Sequence, residues 1–225
     1  FIFGGYFKEE AIRLAHDLFK ELELPIEYVT VFEGDSTVPA DEESEKIWKT
    51  LGVTDIRKKS RADNFWGPTG SEGPCGPTTE IYVSGVEIWN IVFNEYYQHP
   101  DKRLEPLKQN GVDTGMGLER LAMVLQKKPN IFETDLFAPI IKKIVISRGD
   151  YNNERVRRIT ADHARAVALL IADGVRPLNK GVGHMLRRLM RRVIVYGCNL
   201  KPLFDEVIKN YGHFYPELQQ TREEI

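Results

Sequence analysis

The sequence predicts an α+β fold, a mixed α/β unit followed by an all-helical one, and three observations predict it. VEIWNIVFNEYY, 86–97, is apolar on both faces, with Val86, Ile88 and Val92 on one and Trp89, Ile91 and Phe93 on the other, as a covered central strand requires. Up to about residue 140, strand-like runs of this kind alternate with helical stripes. Beyond it, apolar residues recur only at helical spacing. The join is expected near 140–155, dividing the chain into 1–145 and 146–225.

Ala11, Leu14, Ala15, Leu18, Phe19 and Leu22 form a stripe that predicts an amphipathic helix over about 8–23. IEYVTVF, 26–32, is rich in β-branched and aromatic residues and reads as a strand. DEESEKIWKTLG, 41–52, reads as a short helix with acids in its first turn and Gly52 as its stop. RADNFWGPTGSEGPCGPTTE, 61–80, holds too many glycines and prolines for a helix or central strand and is expected to be a loop. EIYV, 80–83, and the run from Val86 form a hairpin around Ser84-Gly85. LEPLKQNGVDTG leads into a further strand or turn. GLERLAMVLQKK is then a helix on the stripe Leu118, Leu121, Ala122 and Leu125. Val156, Ile159, Ala164, Val167, Ala168 and Ile171 mark a helix stopped by Gly174. Val182, Met185, Leu186, Leu189, Met190 and Val193 mark the next, and the remainder is read as helical.

Composition narrows the function. The chain has 225 residues, 42% hydrophobic and 28% charged, which fits a globular protein. A net charge of −2 means that any nucleic-acid binding must come from local clustering. Two cysteines, Cys75 and Cys198, form no disulfide framework, and the histidines lack metal-ligand spacing, so no zinc site and a reducing, cytoplasmic setting are expected. No apolar run approaches a membrane span. The opening FIFGGYFKEE reads as part of a longer chain.

Several residues are candidates for chemistry. Arg187 and Arg191, and Arg188 and Arg192, lie four apart, with Arg176 and Lys180 upstream and no acid between Lys180 and Arg192. A solvated face is the ordinary reading of such a run. The missing acids favour phosphate contact. Trp66 in the irregular segment either caps the core or walls a pocket. Asn90 is a lone amide on an apolar strand and needs a hydrogen-bond partner, from the backbone or from a ligand. Glu80 is either a metal-facing carboxylate or a rim residue. Gly115 and Gly117 before a helix suggest close approach of a ligand to a helix N-terminus. Arg120 sits in that helix's first turn, where the dipole disfavours a cation.

Taken in order, FGGYFKEEA (3–11), DNFWGPTGSEGPCGPTTEI (63–81), EIWNIVFNEYYQ (87–98), GVDTGMGLERLAMVLQ (111–126) and ITADHARAVALLIADGVRPLNKGVGHMLRRLMRR (159–192) resemble the alanyl-tRNA synthetase family of class II aminoacyl-tRNA synthetases. The resemblance implies a class II antiparallel sheet flanked by helices and followed by a helical tRNA-recognition domain. It implies an alanine–tRNA ligase that uses ATP and magnesium, with alanine and tRNA(Ala) as partners and no membrane. Trp66, Asn90, Asp113 and Gly115 match the alanine pocket, with Asp113 on the substrate ammonium. Val92, Gly115, Gly117 and Arg120 match positions around ATP and the adenylate, with Arg120 as the phosphate-binding arginine of GMGLER. Asp113 and Arg120 are thus the expected catalytic pair, and Glu80 an ATP- or magnesium-facing carboxylate. Arg176, Asn179, Lys180, Arg187, Arg188, Arg191 and Arg192 match the region near the tRNA acceptor stem, which helps read a G·U pair in the family.

The chain also departs from the family pattern. Thr78 replaces a frequent cysteine, and Gly5 a usual aspartate. The hairpin 80–90 and the segments near 146–155 and 197–203 are shorter than usual. The resemblance implies that motif 1 and the motif 2 strands, with their ATP-binding arginine and adenine-stacking aromatic, lie before Phe1, so 1–145 reads as part of the catalytic domain and 146–225 as the start of the recognition domain. On that reading the 225 residues alone are expected to be weak or inactive as an enzyme. The alternative is a non-catalytic tRNA-binding or regulatory paralogue.

Overall fold

The computed structural model describes residues 2–147 and 153–224, and it divides the chain into two compact units, 1–127 and 128–225. The first unit is a seven-stranded sheet with helices. β1 (Ile2–Phe3) leads into α1 (Lys8–Glu21), β2 (Tyr28–Phe32), α2 (Glu42–Thr50) and β3 (Ile56–Lys59). Then come the short α3 (Arg61–Asn64), β4 (Phe65–Trp66), β5 (Gly73–Val83), β6 (Val86–Gln98), β7 (Leu104–Met116) and α4 (Leu118–Leu125). The strand order is β1-β7-β6-β5-β2-β3, with β4 beside β5. Every pairing is antiparallel except β2 with β3, which α2 joins as the crossover that a parallel pair needs.

Local signals account for most boundaries. Asp41 caps α2, accepting from the Ser44 N–H at 3.1 Å and from its hydroxyl at 2.7 Å. Ser84 and Gly85 turn β5 into β6 with φ of 52° and 73°, the paired positive values of a tight hairpin turn, and Val83 faces Val86.

The segment 61–80 departs from expectation. It is not a loop: its second half is the start of β5, which pairs β6 on one side and β2 and β4 on the other. Pro77 falls in a register shift against β6 between Cys75 and Thr78, while Pro74 stays in register opposite Tyr97. Gly76 is required there, because a Cβ would overlap the Phe93 carbonyl oxygen.

Successive residues of a strand face opposite sides. One side of this sheet is apolar: Val29, Val31, Ile81, Ile91, Phe93 and Val112 pack on Ala11, Ile12, Ala15 and Phe19 of α1 and Trp48 of α2. Leu14 of the expected α1 stripe is exposed, and Ile12 is buried instead. In α4, Leu121 and Val124 meet the core while Leu118 and Leu125 are exposed.

The second unit is helical. A 3-10 turn (Ile131–Glu133) precedes α5 (Ala138–Lys143), α6 (Glu154–Ala172), α7 (Gly181–Val195), α8 (Leu200–Tyr211) and the short α9 (Glu217–Gln220). Small residues of α6, Ala161, Ala164 and Ala168, let Leu186 and Val193 of α7 and Leu203 and Val207 of α8 close a core around them. Phe137, Ile140 and Ile144 belong to that core, so the division falls after Lys127, ahead of the expected 145/146 boundary. The expected α7 stripe is narrower than read: Val182 and Met185 are exposed. Part of the segment 146–155 lies outside the described residues.

Candidate functional site

The sheet's other side is polar. Thr30, Glu80, Asn90 and Gly115 are successive Cα partners across β2, β5, β6 and β7, and so form one transverse row. Thr78, Val92 and Asp113 form the next row on that side. Paired residues on neighbouring strands project the same way. Five of the sequence-predicted residues, Glu80, Asn90, Val92, Asp113 and Gly115, therefore share one face of the first unit.

Glu80 is the buried charge of this face. Its Oε2 accepts from the Thr30 hydroxyl at 3.0 Å and the Tyr82 hydroxyl at 2.9 Å. Burial raises its pKa against the lowering effect of those two hydrogen bonds, and the charges of Glu87 and Asp63 raise it further. Asn64 is fully buried, and its amide donates to Thr30 Oγ1 at 2.9 Å and to the Thr78 carbonyl at 3.1 Å. Asn90 Oδ1 is buried without a hydrogen-bond partner among the described residues, which leaves it able to accept from a ligand. Beside it, Gly115 opens the surface: a Cβ on it would meet nothing within 4 Å. Asp113 Oδ1 accepts from the Thr114 N–H at 2.8 Å. Trp66 lies on β4 across from Gly76, partly exposed rather than capping the core.

Gly117 precedes α4 and donates to the Ile88 carbonyl at 3.1 Å, tying the helix start to β6. The Arg120 side chain turns back to that strand, and Nη1 donates to the Glu87 main-chain carbonyl at 2.9 Å and to its carboxylate at 3.0 Å. No acid lies three or four residues from Arg120 on its own helix, and the carboxylate that pairs with it comes from β6. That pairing answers the adverse helix dipole.

The basic run in the second unit separates into two groups. Arg176 donates to the Ile171 and Val175 carbonyls at 3.0 and 3.1 Å and pairs with Glu224. Arg187 bonds Asn179 Oδ1. Those three residues are engaged within the fold. Arg188, Arg191 and Arg192 have no partner among the described residues, and with His163, Met185, Leu189, Val195 and Tyr196 they line a groove of about 470 Å³. Lys180 precedes α7 at its cap position, exposed.

Among the described residues no group of three or more His, Cys, Asp or Glu is arranged to hold a metal ion. Magnesium that arrives with nucleotide phosphates needs only one or two protein carboxylates. Glu80, with Glu87 near enough to perturb it, fits that smaller requirement.

Sequence reading missed Thr30, Asn64, Tyr82 and Glu87. Thr30 was visible as a polar residue inside YVTVF, and Asn64 as the neighbour of Trp66 in DNFW. Glu87 carried no local signal, since only strand pairing brings it to Arg120. Lys8 is a further buried charge: its ammonium bonds Asp41 at 2.8 Å and Glu95 at 2.5 Å. Burial lowers its pKa, and the two carboxylates outweigh that and raise it.

The amino-acid sequence is similar to those of known proteins along its whole length. A family model described as tRNA synthetases class II (A) matches residues 1–225. A protein of Rubrobacter xylanophilus named alanine–tRNA ligase is 40% identical over 270 residues, covering 100% of this chain and 30% of the relative. Proteins of the same name from Chloroflexus aurantiacus and Borrelia garinii are 42% and 39% identical, covering 100% and 99% of this chain and 29% and 44% of theirs. The chain thus spans less than half the length of these relatives. The alignments run to 261 and 270 positions against 225 residues here, so this chain is the shorter within the matched stretch. With a mostly antiparallel sheet flanked by helices and a family match over its full length, the chain belongs to the class II (A) tRNA synthetases.

Proposed function

We propose that this chain is part of an alanine–tRNA ligase, which activates alanine with ATP and transfers it to tRNA(Ala). The observation that carries the reading is the shared polar face: an amide oxygen on Asn90 with no partner among the described residues, the carboxylate of Asp113 and open space at Gly115. A small zwitterion with an ammonium group suits that set. Asp113 and Asn90 bind the ammonium, and Trp66 walls the pocket. The alanine carboxylate oxygen attacks the α-phosphorus of ATP. A new P–O bond forms, the bond to the β-phosphate oxygen breaks, and pyrophosphate leaves. A ribose hydroxyl of the tRNA's terminal adenosine then attacks the acyl carbon, AMP departs, and the hydroxyl proton goes to solvent. Such a site works by positioning and by neutralising phosphate charge. Arg120, with Gly117 at the helix start and Val92 on the polar face, serves the nucleotide. Glu80 would hold magnesium, which when bound offsets phosphate charge. Larger amino acids are excluded sterically, whereas glycine differs by one methyl, worth only ~1–3 kcal/mol.

In the second unit, Arg188, Arg191 and Arg192, which have no partner among the described residues, are placed to meet a tRNA backbone, with Lys180 and Asn179 at the same helix start and Arg176 and Arg187 holding the local fold. Residues 1–127 then belong to the catalytic domain and 128–225 to the recognition domain. The test is alanine-dependent ATP–pyrophosphate exchange by the full-length enzyme that carries this chain. Asp113→Ala is expected to lower it at least about a hundredfold, as loss of a charged substrate contact does. Exchange at the unsubstituted rate would overturn the assignment.

A further inference from the structure

We propose that Glu87 is a positioning residue for Arg120, setting the direction in which the guanidinium presents itself to the nucleotide. The inference rests on the proposed role of Arg120. Arg120 sits on a surface helix and would otherwise sweep a wide arc, since an exposed arginine has many rotamers. Three features narrow that arc. Nη1 is held twice by one residue, by the Glu87 carbonyl and by its carboxylate. The Gly117 N–H bonds the carbonyl of the next residue, Ile88, so the helix start and the strand cannot shift independently. Gly117 also has no side chain where the arginine stem folds back: a Cβ there would come within 3.3 Å of Arg120 Cδ. Nε and Nη2 are left without partners among the described residues. Glu87 is itself close enough to Glu80 and Tyr82 for its charge to raise both their pKa values. It therefore links the arginine to the edge of the polar face. A guanidinium anchored through one nitrogen presents its remaining N–H groups in a fixed fork, the geometry that suits a phosphate oxygen pair.

The experiment measures KM for ATP and for alanine separately in ATP–pyrophosphate exchange by the full-length enzyme carrying this chain. Glu87→Ala is expected to raise the KM for ATP about tenfold, with the KM for alanine within about twofold of the parent, since one charge-assisted anchor is lost. Glu87→Gln, whose amide oxygen can still accept from Nη1, is expected to restore most of that loss. An unchanged KM for ATP in Glu87→Ala, or an equal rise in the KM for alanine, would overturn the proposal. So would a Glu87→Gln variant as impaired as Glu87→Ala, because charge rather than acceptor geometry would then matter. Arg120→Ala separates the two levels. If it leaves ATP affinity unchanged, the underlying role of Arg120 fails. If it weakens ATP while Glu87→Ala does not, the positioning role alone fails.

Discussion

Glu80 shows how a single residue on this face can be read by its ionisation. Burial raises its pKa, so the folded protein takes up the proton at a higher pH than the unfolded chain does. Folding stability is then undiminished below the ordinary glutamate range and falls as pH rises through the raised pKa. Glu80→Gln keeps an acceptor for both hydroxyls and removes that charge. Its melting temperature is expected to match the parent below about pH 4 and to exceed it at pH 7. All three tryptophans, Trp48, Trp66 and Trp89, lie within residues 1–127, so their fluorescence reports the unfolding of that unit. A parent more stable than the variant at pH 7 would contradict the burial argument. Gly115 offers a complementary test. A methyl group there meets open space, so Gly115→Ala should change stability by less than about 0.5 kcal/mol. The same methyl would occupy the room proposed for substrate, and binding of alanine, followed by calorimetry, should weaken.

At the scale of elements, β5 is where local propensity and tertiary pairing disagree. Glycine and proline punctuate GPCGP so strongly that sequence alone argues against a strand. The register shift between Cys75 and Thr78 takes up the residues that cannot join a regular ladder, and strands on both sides then hold the segment extended. Gly76→Ala would force a Cβ into the Phe93 carbonyl on the neighbouring strand and should cost about 3 kcal/mol, read from the same tryptophan fluorescence. Retained stability would mean that the two strands can part without loss. The helices were far more legible, because their buried stripes, the first-turn acids of α2 and the glycine stops at Gly52 and Gly174 are all local signals. The exposed Val182 and Met185 mark the limit of that reading, since a helix stripe shows which side is apolar and not how much of it finds a partner.

At the scale of the whole molecule, a net charge of −2 conceals an uneven distribution. Arg188, Arg191 and Arg192 line one groove with no partner among the described residues, while Arg176 is engaged by carbonyls and Glu224. Replacing those three arginines by alanine should weaken tRNA binding and lower the slope of log affinity against log salt by about 2 to 3, one counterion per lost phosphate contact. Fluorescence anisotropy with labelled tRNA at several salt concentrations measures it. Arg176→Ala should change that slope far less, its main effect being on the stability of the helical unit. An unchanged slope in the triple variant would return the run to an ordinary solvated face.

The sequence by itself determined the class of fold, the order of the long helices and strands and the Ser84-Gly85 hairpin, because periodicity, helix stops and turn residues act over a few positions. Only the tertiary structure decided that Glu80, Asn90, Val92, Asp113 and Gly115 share one face, that the units divide after Lys127, and that Glu87 holds Arg120. Register across strands and the docking of a helix on one core rather than another depend on contacts between residues far apart in the chain, and local sequence carries no record of those.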